Sequence, residues 1–421
     1  MIENHDIFSP DQVLPKPARV SRRGLFGWST LAALALVAKC QTDEQKIKQD
    51  ADREKAALAS DSKSFVDEFL PPNFRIGGNF SSGQADYIGL DSLECLKFIT
   101  EDLGMPSIRM GLSGSRIWNR GQIDLSRYRE LLNFFFRGKH HTKLGLNIGP
   151  IKVLRWPEEH IPQHVIDSLH PCPLKGSTIL TNSDLGKWGL DYLDRLLYIL
   201  TTEYGSLTLK SGVNTIQADN EPFNPFGKYR WTVSQDFIEQ TVEITNSYLP
   251  QAQILFNSAA FTNVPQISQL LDSLHRKHPD WDNHFVFGYD HYDQIPGFSD
   301  LPVIGNLDLF SYASLLHQPL YPTNIPGLKR KVSEIQMERW GKPKRSDDPE
   351  NSSLHLHKIL LRSQDMFFQD YPDPEADPWG VEILAKALLD KTATPEQEKM
   401  AETIRYTNLR QPSLAAYGKV A

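Results

Sequence analysis

Short runs of β-branched, apolar and aromatic residues recur along this chain, separated by stretches with helical spacing. That alternation constrains the fold more than any other feature of the 421 residues. Strands are expected at Arg75–Phe80, Ser107–Leu112, Lys143–Ile148, a run ending at Glu221, Gln253–Asn257, His284–Tyr289 and Lys331–Gln336. Helical spacing lies between them, as in Leu90–Leu103, in Tyr128–Phe135 behind a capping Asp124, and in Asp184–Tyr204. Successive strand tips fall about 30 to 45 residues apart, except around a long irregular loop, Gly149–Ser183, after the third. Strand-then-helix units at that spacing predict parallel pairing, an α/β fold. An eighth unit is the weakest to place, with Met366–Phe368 or Val381–Leu384 as its strand.

The length suits one large domain, because a barrel of eight βα units takes about 250 residues and exceeds 400 with insertions. A net charge of −7, with no basic stripe carrying interleaved aromatics, argues against a nucleic-acid partner. A mean hydropathy of −0.41 excludes a polytopic membrane protein. A monomer is expected.

The chemistry concentrates in Thr215–Asn224, whose first half is the end of a buried strand. Polarity then flips to Asp219, Asn220 and Glu221, and Pro222 stops the strand because it has no N–H to donate. An amide and a carboxylate are thus held at the C-terminal lip of a strand, where active sites of parallel barrels sit. Taken alone, Asn-Glu-Pro is a short string, and a surface Glu opening a loop is the bland reading. A second acid in a matching setting, Glu334 near the end of Lys331–Gln336, changes the balance. Two acids at two strand tips, facing across a sugar-sized gap, are what glycoside hydrolysis needs.

With these motifs the chain resembles the clan of retaining (β/α)8 glycoside hydrolases that includes families 5 and 39. The resemblance covers most of the chain after about residue 70, and it rests on Asn220–Glu221 and on Glu334. It implies a single TIM barrel that cleaves O-glycosidic bonds in a β-linked polysaccharide or oligosaccharide, with no cofactor. Glu221 would be the general acid/base at the end of strand 4, and Glu334 the nucleophile at the end of strand 7. Arg109, at the tip of strand 2, would lie beside Glu334 and keep it charged; the bland reading of a lone strand Arg is a structural ion pair. Asn220 would bond the sugar 2-hydroxyl, and Tyr292, or else Tyr289, would donate to the nucleophile with His291 beside it. A half-buried Tyr with a satisfied hydroxyl is the equal alternative.

Asn147 at the tip of strand 3 is a candidate sugar contact. Trp118, Trp156, Trp231 and Trp340 fall in loops after strand tips, where an indole face can stack on a sugar; loop or core packing is the plainer role for each. Trp379 offers a ring near the unplaced eighth strand. His140–His141 precedes a strand and is expected in solvent. Asp290, His291 and Asp293 do not make a clear metal cluster, so no metal is expected. A binding protein without catalysis on the same barrel, an envelope lipoprotein, is the alternative reading.

Residues 1–40 are expected to be an export signal, residues 41–70 a polar tether and residues 71–421 the barrel. Arg22–Arg23 precedes a mostly apolar run from Leu25 to Ala38, too short to span a bilayer comfortably and similar to a twin-arginine leader. Val37–Cys40 resembles a lipoprotein cleavage box with Lys39 in place of a small residue, which would anchor the protein to a membrane through Cys40. Localisation in the periplasm or cell envelope is expected. Cys95 and Cys172 lack zinc spacing, and a disulfide between them is left open by sequence.

Overall fold

A computed structural model describes residues 52–53, 55–138, 141–154, 159–225, 227–250, 252–258, 263–291, 321–322, 325, 327–336, 356–357, 359–361, 363–364, 368 and 371–410. The leader-like run, Cys40, His140, Trp156, Tyr292, Asp293, Trp340, Met366 and Phe367 lie outside the described residues.

The strands are β1 in two pieces, Arg75–Ile76 and Gly78–Phe80, then β2 (Ser107–Gly111), β3 (Lys143–Asn147), β4 (Val213–Gln217), β5 (Ile254–Ser258), β6 (Phe285–His291), β7 (Lys329–Gln336) and β8 (Glu375–Trp379). Each pairs in parallel with its neighbour in chain order. Closure occurs at β1. Its first piece pairs with β8 (Arg75 opposite Glu375), and its second with β2 (Asn79 opposite Arg109). Gly77 sits at the break between them. A Cβ there would fall 2.3 Å from Asp377 Oδ1 and 2.4 Å from Ser107 Oγ, so any side chain would push the closing strands apart. The expected TIM barrel is therefore present among the described residues.

Alternation along the strands explains the barrel's two sides. In β2, Ile108 and Met110 enter the apolar shell between sheet and helices, while Ser107 and Arg109 bond to groups across the lumen. Leu144 and Leu146 of β3, Ile216 of β4, and Ile254 and Phe256 of β5 follow the same rule outward. The lumen itself is polar. Deep in it, Lys331 Nζ lies 2.9 Å from Glu375 Oε1 and 2.5 Å from Asp377 Oδ2, and Ser107 Oγ donates to Glu375 at 2.6 Å.

The eighth strand is a correction. It is Glu375–Trp379, whereas Val381–Leu384 lies in the following helix, Val381–Leu389, and Phe368 is a buried residue outside any strand. Glu375 and Asp377 point into the polar lumen, so this strand has no apolar run to reveal it.

Helices begin where caps allow. Ser183 accepts from Gly186 N ahead of Asp184–Tyr204, Ser234 from Phe237 N ahead of Gln235–Tyr248, and Thr394 forms a capping box with Gln397. Within the stretch expected as a tether, Asp61 caps a helix, Ser62–Phe69, that buries Phe65, Val66 and Phe69 in the common core. Residues 148–183 carry the short helix Gln163–Ser168 and a strand, Thr178–Ile179, paired with Thr232–Val233 from beyond β4. Cys95 is buried and Cys172 exposed, both as free thiols, so no disulfide joins them. Among the described residues no helix is long and apolar enough to cross a membrane.

Candidate active site

The C-terminal lip of the barrel brings together side chains from all eight strands and the turns that follow them. Arg109 is the hub, only 2% exposed. Its Nε and Nη2 donate to Gln217 Oε1 at 2.8 and 2.6 Å, Nη1 donates to Asn79 Oδ1 at 3.1 Å and to Glu334 Oε1 at 2.8 Å, and Nη2 donates to Asn220 Oδ1 at 2.7 Å. One planar guanidinium therefore fixes the tip of β7 relative to the turn after β4. Glu334 is held from its other side by Trp379, whose Nε1 donates to Oε2 at 2.8 Å. The ring that lacked a frame in the sequence is thus the last residue of β8.

Glu334 reaches the lumen through an irregularity. Ser333 and Glu334 are adjacent, and strict alternation would send them to opposite faces. The β6–β7 register instead jumps from Tyr289 opposite Val332 to Asp290 opposite Glu334. This bulge turns both residues inward: Ser333 Oγ donates to Asp290 Oδ1 at 2.6 Å while Glu334 meets Arg109.

Glu221 is nearly buried, and its backbone is left-handed, with φ +44. A non-glycine residue in that region carries about 1–2 kcal/mol of steric cost, so surrounding bonds must hold it. Those bonds are visible. Glu221 N donates to Asn257 Oδ1 at 2.8 Å, and Glu221 O accepts from Asn224 N at 3.0 Å and from Lys152 Nζ at 3.3 Å. Lys152 is fully buried and also donates to the Asn224 carbonyl. Its backbone N donates to Asp219 Oδ1 at 2.5 Å. The segment after β3 therefore props the turn that carries Glu221.

Asn220 Oδ1 accepts from Arg109, from Gln217 Nε2 at 3.1 Å and from Asn257 Nδ2 at 3.1 Å. With its oxygen engaged three ways, the group it offers a ligand is the Nδ2 donor. Asn147 sits lower, giving Nδ2 to Gln217 Oε1 at 2.9 Å and accepting from Gly149 N at 3.2 Å. It braces the network from below.

Tyr289 is buried in the apolar core. The backbone of His291 ends β6, and nothing is described of its side chain. Trp118 packs edge-on against Trp188 and Tyr192, and Trp231 stacks on Tyr229 with its Nε1 donating to Leu174 O at 3.0 Å, so both fill loop cores.

Gln217, Asn257, Asn79, Ser333 and Asp290 were not anticipated as site residues. A common signal was present: each is a polar residue in or beside an apolar strand segment. Asp290 is wholly buried, accepting on Oδ1 from Ser333 and on Oδ2 from Asn257 Nδ2 at 2.8 Å. Burial pushes its carboxyl up to about 7, and the Glu334 charge adds to the rise. Among the described residues no group of three or more His, Cys, Asp or Glu is placed to hold a metal ion.

Fold and lip together define a (β/α)8 barrel with buried acids from the ends of β4 and β7 drawn into one hydrogen-bonded network. Solved structures are similar to this chain. An exo-beta-1,4-mannosidase, Op5Man5 from Opitutaceae bacterium strain TAV5, matches with a TM-score of 0.50 at 12% identity, over 80% of this chain and 60% of that one. This chain thus spans about three-fifths of that mannosidase. TsXylA, an intracellular xylanase from Thermoanaerobacterium saccharolyticum JW/SL-YS485, matches with a TM-score of 0.43 at 14% identity, over 73% of this chain and 86% of that one. A monomeric beta-xylosidase from Caulobacter crescentus CB15 gives 0.42 at 17% identity, over 73% and 59%. No protein-family model matches the chain, and no curated protein matches its sequence.

Proposed function

We propose that this protein is a retaining glycoside hydrolase that cleaves O-glycosidic bonds in a β-linked polysaccharide or oligosaccharide by double displacement. Glu334 attacks the anomeric carbon and forms a glycosyl-enzyme. Glu221 protonates the departing oxygen, then takes the proton of the incoming water. The observation that carries this reading is the shared guanidinium of Arg109, bonded at once to Glu334 and to Asn220, the neighbour of Glu221. It ties the two acids to one end of the barrel. Trp379 and Arg109 orient the Glu334 carboxylate from two sides, leaving attack to an oxygen whose position is already set. Asn220 Nδ2 donates to the sugar 2-hydroxyl, a contact that strengthens in the transition state. The leader-like run around Arg22–Arg23 supports export to the periplasm or envelope, and Cys40 supports lipid anchorage there.

The test is hydrolysis of a glycan panel, with the anomer formed first read by proton NMR. Retention is expected, as is loss of turnover in Glu221→Gln and Glu334→Gln with the fold intact. A 2-fluoroglycoside should label Glu334. Inversion, or full activity in both variants, overturns the reading; binding with no labelling on any glycan identifies a carbohydrate-binding protein instead.

A further inference from the structure

Lys152 and Glu159, both in the segment after β3, clasp the turn that follows β4. Lys152 runs beside that turn. Its N donates to Asp219 Oδ1 at 2.5 Å, its carbonyl accepts from Asn220 N at 3.1 Å, and its Nζ donates to Glu221 O at 3.3 Å and to the Asn224 carbonyl. One residue therefore grips the turn before, at and after the acid. The approach leaves no room for a side chain at Gly149, where a Cβ would fall 1.9 Å from Lys152 O and 2.7 Å from Asp219 Oδ1. Glu159 holds the far end of the turn. Its Oε1 accepts from Tyr229 N at 3.2 Å, and a Cβ at Gly227 would fall 1.8 Å from its Oε2.

The ammonium of Lys152 needs a reason of its own. It is wholly buried, and burying a charge costs free energy that an apolar side chain of similar reach would not. The main chain of Lys152 already ties Asp219 and Asn220. What Nζ adds is a hold on the peptide plane that follows Glu221, through Glu221 O. The plane that precedes Glu221 is held by Asn257 Oδ1, through Glu221 N. With both flanking planes pinned, the acid is kept at φ +44, which its side chain disfavours.

We propose that Lys152 is a positioning residue for the acid/base, its buried ammonium holding Glu221 in the left-handed backbone that aims its carboxyl at the leaving oxygen. The proposal rests on the glycoside hydrolase reading above. Without the ammonium the strained residue relaxes towards negative φ, and the direction of its Cβ changes with it. A displacement of about 1 Å in a reacting group costs on the order of 100-fold in rate.

The test is Lys152→Met in the full chain, with two readouts. The first is a pair of crystal structures, wild type and variant. Glu221 is expected to leave φ +44 and its carboxyl to move by about 1 Å or more. An unmoved Glu221 in the variant overturns the proposal, whatever the protein hydrolyses. The second readout is kcat/KM on aryl glycosides of the sugar that the glycan panel identifies. Dinitrophenolate departs without a proton, so kcat/KM for the dinitrophenyl glycoside should stay within about threefold of wild type. For the phenyl glycoside, whose leaving group needs the acid, it should fall about 10- to 100-fold. Equal losses on both substrates, or none on either, overturn the proposal. Should Lys152→Met fail to fold, Lys152→Gln removes the charge while keeping a donor, and the same two readouts decide. A displaced Glu221 in a protein that hydrolyses no glycan sinks the hydrolase reading but not the hold on the turn. Hydrolysis by a variant with Glu221 in place does the reverse.

Discussion

Trp379 Nε1 lies 2.8 Å from Glu334 Oε2, joining the last residue of β8 to the acid of β7. A hydrogen bond to a charged group is worth about 1.5–3 kcal/mol. Trp379→Phe keeps the ring and deletes the donor. We expect kcat to fall by about 10- to 100-fold, with the urea midpoint nearly unchanged. Wild-type kcat in this variant would mean that the indole is packing alone.

Arg109 contributes differently, because both it and Glu334 are buried. Removing one partner leaves the other charge unpaired in the lumen, which costs about 3–5 kcal/mol. Arg109→Met is therefore predicted to lower folding stability by that amount in urea melts, as well as to stop turnover. Arg109→Lys should recover part of the stability and little activity, since an ammonium lacks the fork that spans Gln217, Asn220 and Glu334. A Met variant as stable as wild type would remove the hub from the account.

Most of the barrel was legible because an apolar shell imposes alternation on strands such as Ser107–Gly111 and Lys143–Asn147. Glu221, Glu334 and Arg109 were singled out through a resemblance; in the structure the Arg109 guanidinium bonds Glu334 and Asn220, the neighbour of Glu221. β8 was invisible for a physical reason. Glu375 and Asp377 turn inward to Lys331, and Pro378 interrupts what apolar character remains. Asp290 and Asn257 were missed because a polar residue at a strand end reads as the start of a loop; only the closed lumen makes them partners. The bulge at Ser333 leaves no mark in composition, and without it Glu334 would face the helices.

Strain at Glu221 predicts a separation of stability from activity. Both Glu221→Ala and Glu221→Gly delete the acid, so both should lose turnover. Only Gly adopts φ +44 freely. The Gly variant should therefore be more stable than the Ala variant by about 1 kcal/mol in denaturant melts, even though Gly loses more chain entropy on folding. An Ala variant of equal or greater stability would show that the turn relaxes when the side chain is removed.

The deep lumen predicts a stability maximum on the acid side of neutrality. Burial lifts the Asp377 carboxyl from 3.8 to about 6, against the pull of Lys331. The folded state thus holds a proton that the unfolded state has lost between these values, and stability falls as pH rises through that window. Glu375 runs the other way. Burial would raise it, but Lys331 and Arg75 overcome that and hold it down at about 2, from 4.5. Here the unfolded state binds the extra proton, so stability is lost as pH drops from 4.5 towards 2. Urea midpoints measured in steps from pH 3 to pH 7 should show opposed slopes. Asp377→Asn should flatten the upper slope alone, whereas Glu375→Gln should remove the lower slope and weaken the upper one, because the Glu375 charge helps to raise Asp377. Since both carboxyls face one ammonium, an Asp377→Asn variant that keeps the upper slope would mean that Lys331 holds both as anions throughout.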